Sequence, residues 1–173
     1  MKNLKDKLVV VLERVVSVGV FYFPLIECTC YFGPKLFLST ENFAVRKFYA
    51  EYIVRAGNYY QENQLMIFIF MIWLFIMCAQ GRLRFTKFMR FNVIQAVLFN
   101  IVCTCCGIAF TFFPKILQKS LFGMAFAQLV YLTTVMLVGY SVIMVAFGRY
   151  PRLPLISDAA KIQIQRSLDS SGE

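Results

Sequence analysis

Histidine is missing altogether from this 173-residue chain. That removes Ser-His and Cys-His nucleophilic pairs, histidine metal sites and histidine proton shuttles. Acid is scarce as well: 9 Asp and Glu stand against 18 Lys and Arg, a net charge of +9. A cleavable secretory leader is not evident either. Residues 1–14 are short and mixed in sign, with Asp6 and Glu13 and without a small-residue cleavage site. The same acids, and the scarcity of serine, argue against a transit peptide, so the expectation is a protein made where it works or a mature form. Six cysteines are present, Cys28, Cys30, Cys78, Cys103, Cys105 and Cys106, all inside apolar runs where cysteine packs as a small hydrophobe. A secreted disulfide scaffold is therefore disfavoured. Four of these sulfurs meet only if the first and third apolar runs touch, and thiols held in lipid resist the deprotonation a metal needs. No metal or cofactor is expected.

What the chain has in excess is hydrocarbon. Hydrophobic residues make up 60% and aromatics 17%, with 19 Phe, where soluble domains are nearer half apolar. The excess is gathered into four blocks, about 15–32, 65–79, 91–113 and 124–147. The expected fold class is an all-α membrane protein, one polytopic domain of four transmembrane helices. In the first span Pro24 should introduce a kink, Glu27 lies about a turn from the far end, and Gly33-Pro34 should stop the helix. The second block has only fifteen apolar residues, about 22 Å of helix against a hydrocarbon core of about 30 Å. Tyr59, Tyr60 and Gln61 are expected to extend it, or the bilayer to thin beside it.

Between these two blocks, Ser39 to Gly57 is amphipathic. Val45, Phe48, Tyr49, Tyr52 and Ala56 share a face opposite Arg46, Lys47, Glu51 and Arg55. This predicts an interfacial helix over about 40–56, capped by Ser39 or Thr40 and ended at Gly57-Asn58. The tail, 149–173, opens on Pro151 and Pro154, then offers Ser157 and Asp158 as caps for a short helix from Ala159 to about Leu168.

The third span is the unusual one. It keeps Asn92, Gln95 and Asn100, amides that hydrocarbon does not solvate. At 100° per residue they share a side with Ala96, Phe99, Cys103, Cys106 and Gly107, whereas Val93, Ile94, Val97, Leu98, Ile101, Val102 and Ile108 form a branched side suited to lipid. The polar side serves either interhelix packing or a polar lining for something that moves. Tyr131 and Thr134 share a face of the fourth span with Ala127 and Ser141, with the same two readings. Glu27 adds an intramembrane carboxyl, which alone admits a small ion-coupled transporter. With one such acid and no nucleophile-base pair, an enzyme is not expected.

The basic loop Arg82, Arg84, Lys87, Arg90 precedes the third span and suits anionic lipid. Nothing organises its neighbours Phe85 and Phe88 into a stacking platform, so nucleic acid is not an expected partner. Given four spans, the termini and this loop share one side and carry 12 basic residues, against 6 on the other. Both termini are therefore assigned to the side of synthesis.

Two stretches carry a family likeness. RFTKFMRFNVIQAVLFNI, 84–101, resembles the third-span signature of the Tic20 family, the small four-helix subunit of the translocon at the inner chloroplast envelope. GRYPRLPLISDAA, 148–160, resembles that family's motif after its last helix, and FPLIE, 23–27, fits more loosely. The matching positions are Arg90, Phe91, Asn92, Gln95, Ala96, Pro151, Arg152, Pro154, Asp158 and Ala159. The cysteine cluster is outside the pattern. The resemblance implies a core membrane subunit for preprotein import into plastids, in a plastid-encoded algal form, forming or lining the conducting path. It also implies the inner envelope membrane, both termini in the stroma, and as partners other translocon subunits, preproteins in transit and further copies of the chain. A structural organiser of the same complex is the competing reading, with the amphipathic helix and the tail as docking sites.

Overall fold

In the computed structural model, residues 2–37, 42–80, 85–154 and 156–169 are described. Every regular element among them is helical: α1 Lys2–Val20, α2 Tyr22–Phe37, α3 Phe43–Phe48, a π-helical turn Tyr49–Ile53, α4 Val54–Glu62, α5 Gln64–Ala79, α6 Lys87–Thr111, α7 Lys115–Lys119, α8 Leu121–Ala146 and α9 Ile156–Asp169. Three stretches are long and apolar enough to cross a membrane: Val9–Phe37, Lys87–Thr111 and Leu121–Ala146. A fourth requires the helix Phe43–Glu62 and α5, bent by 74° at Asn63, to count as one broken span.

The expected kink in the first span is a break. Pro24 lies in the first turn of α2 and cannot donate back to Val20, so the ladder lapses at Phe21 and restarts. The expected stop at Gly33-Pro34 fails. The helix continues to Phe37 with Pro34 inside it. Neighbouring helices hold it there: Tyr49 lies so close to Gly33 that a Cβ would meet its hydroxyl at 2.8 Å, and the Phe37 ring stacks on Tyr49 at 4.7 Å.

The amphipathic segment also runs further than its composition indicates. Asn42 caps it, its side chain accepting from the N–H groups of Ala44 and Val45 at 3.0 and 3.4 Å. Ser39 and Thr40 lie outside the described residues. Gly57 does not end the helix, because Cys30 of α2 packs there, its thiol donating to the Gly57 carbonyl. The segment runs back along α2, with Tyr49 beside Phe37, Gly57 beside Cys30 and Tyr60 beside Glu27. Tyr59 to Gln61 therefore belong to this helix, across the Asn63 bend from α5, and extend the second span only where the bent pair counts as one. At 16 residues α5 is about 24 Å long.

The third helix starts earlier than its apolar run. Thr86 caps it by accepting from Met89 N–H, so Lys87 and Arg90 stand in its first turn, not in a loop. Arg90 is buried and donates to the Cys78 carbonyl at 2.8 Å, tying the end of α5 to the start of α6. Cys78 sits in the last turn of α5, where a cation also meets the negative end of the helix dipole. Arg90 is thus withdrawn from lipid, Lys87 is exposed, and Arg82 and Arg84 lie outside the described residues.

The branched side of α6 is not a lipid face at its head. Val93, Ile94 and Val97 are buried like the amides beside them, because α1, α2, α5 and α9 all pack on this helix. Only further along, at Ile101, Val102 and Ile108, does that side open. A short unforeseen helix, α7, follows Pro114, and Ser120 caps α8. On α8 one face, Ala127, Tyr131, Thr134, Val138 and Ser141, is buried.

Candidate functional site

Polar side chains inside the bundle fall into two groups. The first joins α6 to the tail. Gln95 is fully buried and donates through Nε2 to Ser157 Oγ at 3.0 Å and to the Pro151 carbonyl at 3.4 Å. The Ser157 hydroxyl also accepts from Leu153 N–H at 2.6 Å and donates to the Pro151 carbonyl at 3.3 Å. Ser157 is therefore no helix cap, as its position suggested. It is the buried knot on which the tail folds, one residue inside α9. Phe88 and Phe91 close the other flank, each edge-on to Tyr150 at 5.2 Å. Pro151, Leu153 and Ala160 are buried, while Arg152, Pro154 and Asp158 are exposed. Asp158 pairs with Lys161 at 3.5 Å, both well exposed, a contact of little energetic weight. Asn92 is enclosed too. Its amide donates to the Phe88 carbonyl one turn back, and its Oδ1 has no partner.

The second group lies at the bend between α4 and α5. Glu27 is only 2% exposed and accepts from Thr104 Oγ1 at 2.8 Å. Tyr60 places its phenol beside both Glu27 and Asn100. Asn100 is 4% exposed, and its Oδ1 has no partner. Gln64, the first residue of α5, donates to Tyr31 Oη at 3.5 Å. Together with Leu65, Phe68 and Ile108 these groups line a groove of about 300 Å³. Glu27 is about 15 Å in from the end of α2, counted at 1.5 Å per residue. The groove is therefore a polar recess among apolar helix surfaces, beside the 74° bend at Asn63. Such breaks are where membrane proteins place sites for polar cargo.

The remaining candidates pack between helices. Tyr131 meets Phe37 edge-on at 5.6 Å. Thr134 returns its hydroxyl to the Val130 carbonyl at 2.9 Å and touches Cys103 Sγ at 3.9 Å. Cys28 adjoins Cys103 and Thr134, so two sulfurs of the first and third spans meet, not four. Among the described residues no three metal-capable side chains converge.

Asn100 and Glu27 had been separate candidates, and the structure unites them. Tyr60, Gln64 and Thr104 were missed. Tyr60 and Gln64 lie in segments read by hydrophobicity alone, and only the 74° bend turns them toward Glu27.

Taken together, the long apolar helices and the polar recess between them have the make-up of a polytopic α-helical membrane protein. A family model described as "Chloroplast import apparatus Tic20-like" matches residues 11–160. The chain belongs to the Tic20 family. It is 27% identical over 162 residues to the Tic20 family protein Ycf60 of Cyanidium caldarium, covering 94% of this chain and 78% of that one. The Ycf60 protein of Gracilaria tenuistipitata is 26% identical over 170 residues, 96% and 82% of the two chains. Protein TIC 20-v, chloroplastic, of Arabidopsis thaliana is 24% identical over 161 residues, 88% and 71%. No solved structure matches.

Proposed function

We propose that this chain is a membrane subunit of the protein-import translocon of the plastid inner envelope, and that its groove contributes one wall of the preprotein path. Family membership and the Ycf60 relatives support an import component of the plastid-encoded algal form. The observation that carries the path reading is the polar recess of Glu27, Tyr60, Asn100 and Thr104 at the Asn63 bend, within otherwise apolar helices. Gln95 is bound to the tail and Asn92 is fully buried, so the lining role falls on Asn100 and Glu27, while Tyr131 and Thr134 act between helices. In this reading there are four spans, with the bent pair counted as one, and both termini lie in the stroma. Lys87, Arg149 and Arg152 are exposed and meet anionic lipid at that surface. One groove does not enclose a polypeptide, so other subunits or further copies supply the remaining walls.

Photo-crosslinking residues at Thr104 and, as a lipid-facing control, at Met136, which is 72% exposed, test this against an arrested preprotein. Adducts from Thr104 and none from Met136 are expected. The reverse pattern, or no adduct from Thr104, overturns the path reading.

One observation favours a scaffold instead. Phe43, Phe48, Tyr52 and Tyr59 are more than half exposed along the amphipathic helix, as a docking face would be. In the tail Leu153 and Ala160 are buried, while Tyr150 and Ile162 stay exposed and extend the face open to a partner.

A further inference from the structure

The groove at the bend has a one-sided chemistry. Glu27 accepts from Thr104 and has the Tyr60 phenol beside it, and it retains further lone pairs. Asn100 Oδ1 is an acceptor with no donor. Gln64 directs its N–H at Tyr31 and so keeps its carbonyl free to accept. None of the residues lining the recess is basic. An acceptor-rich recess in hydrocarbon repels anions and carbonyls, and is relieved by a group carrying several N–H donors.

We propose that this groove binds the guanidinium or ammonium head of an Arg or Lys side chain on a polypeptide in transit. The proposal rests on the path reading above and adds the class of side chain that the wall recognises. Lipid amines carry the same chemistry. Depth favours the polypeptide: Glu27 lies about 15 Å in from the end of α2, behind the apolar rim of Leu65, Phe68 and Ile108. A chain crossing the membrane brings its side chains to that depth, and their long apolar stems suit such a rim.

A photo-crosslinking residue in place of Phe68, at the rim, leaves Glu27 and Asn100 intact and tests this in the assembled translocon. Two arrested preproteins differ only in an Arg or a Gln at the position that reaches the groove. The Arg preprotein should give about tenfold more adduct, the discrimination of one charge-assisted hydrogen bond. Glu27→Gln should abolish that preference and Glu27→Asp should restore part of it, which separates loss of charge from loss of fold. Asn100→Leu should lower the Arg adduct while raising the melting temperature of the purified protein, because it deletes an unpartnered buried oxygen. Equal adducts from both preproteins, unmoved by Glu27→Gln, overturn the proposal and leave the path reading standing. Absence of adducts from both Phe68 and Thr104 overturns the path reading itself. Adducts to phosphatidylethanolamine that ignore the preprotein reassign the groove to a lipid amine and also overturn the proposal.

Discussion

Ser157→Ala should release the tail from the third membrane helix. In the folded chain the Ser157 oxygen accepts from two buried donors, Leu153 N–H at 2.6 Å and Gln95 Nε2 at 3.0 Å. Alanine leaves the first with no partner and the second with only the longer 3.4 Å bond to Pro151. A buried donor stripped of its acceptor costs about 1–3 kcal/mol. The two together amount to about 3 kcal/mol against the docked state, or about a hundredfold in the undocking equilibrium. Hydrogen exchange of the α9 amides, measured on the protein in mild detergent, reads that equilibrium directly. Gln95→Leu is the informative companion. It removes both amide donors together with the unpartnered Oε1, so its gains and losses largely offset, and the exchange rate should rise less than about tenfold. Exchange that changes by less than about threefold in Ser157→Ala, or that responds more to Gln95→Leu, would refute the reasoning, since the serine would then not be the knot.

Two further substitutions test packing. Gly107→Ala should destabilise by about 1–3 kcal/mol, because its Cβ would run into the Tyr31 ring, whereas Gly139→Ala, with open space around it, should be neutral or stabilising in the same thermal melt. Asn92→Leu should leave the melting temperature level or raise it, since the Asn92 amide serves only its own helix and its Oδ1 serves nothing; a clear loss of stability would reveal a partner for that oxygen.

The apolar blocks were legible in the sequence because membrane helices advertise themselves by length and greasiness. So was the oddity of three amides on one span. What escaped was tertiary. Pro34 and Gly57 are breakers by local chemistry, and both sit inside helices because Tyr49 and Cys30 pack against those turns. Val93, Ile94 and Val97 look like lipid anchors, but they are buried because α1, α2, α5 and α9 all pack on α6. The amide at Gln95 admitted either packing or lining from its position, and in the fold it bonds to residues 56 and 62 positions further on. Periodicity tells which residues share a side of a helix. It does not tell what stands opposite.

The short second span is held at both extremities by something other than its own sequence. One end meets the 74° bend at Asn63, whose side chain donates back to the Tyr59 carbonyl at 2.9 Å, and the other is pinned by the guanidinium of Arg90. Gln64, Leu65 and Phe68 of this one helix form a wall of the recess, while Glu27 stands on α2. The tilt of a single rod of about 24 Å, fixed at its far end by Arg90, therefore sets how far that wall stands from the carboxyl.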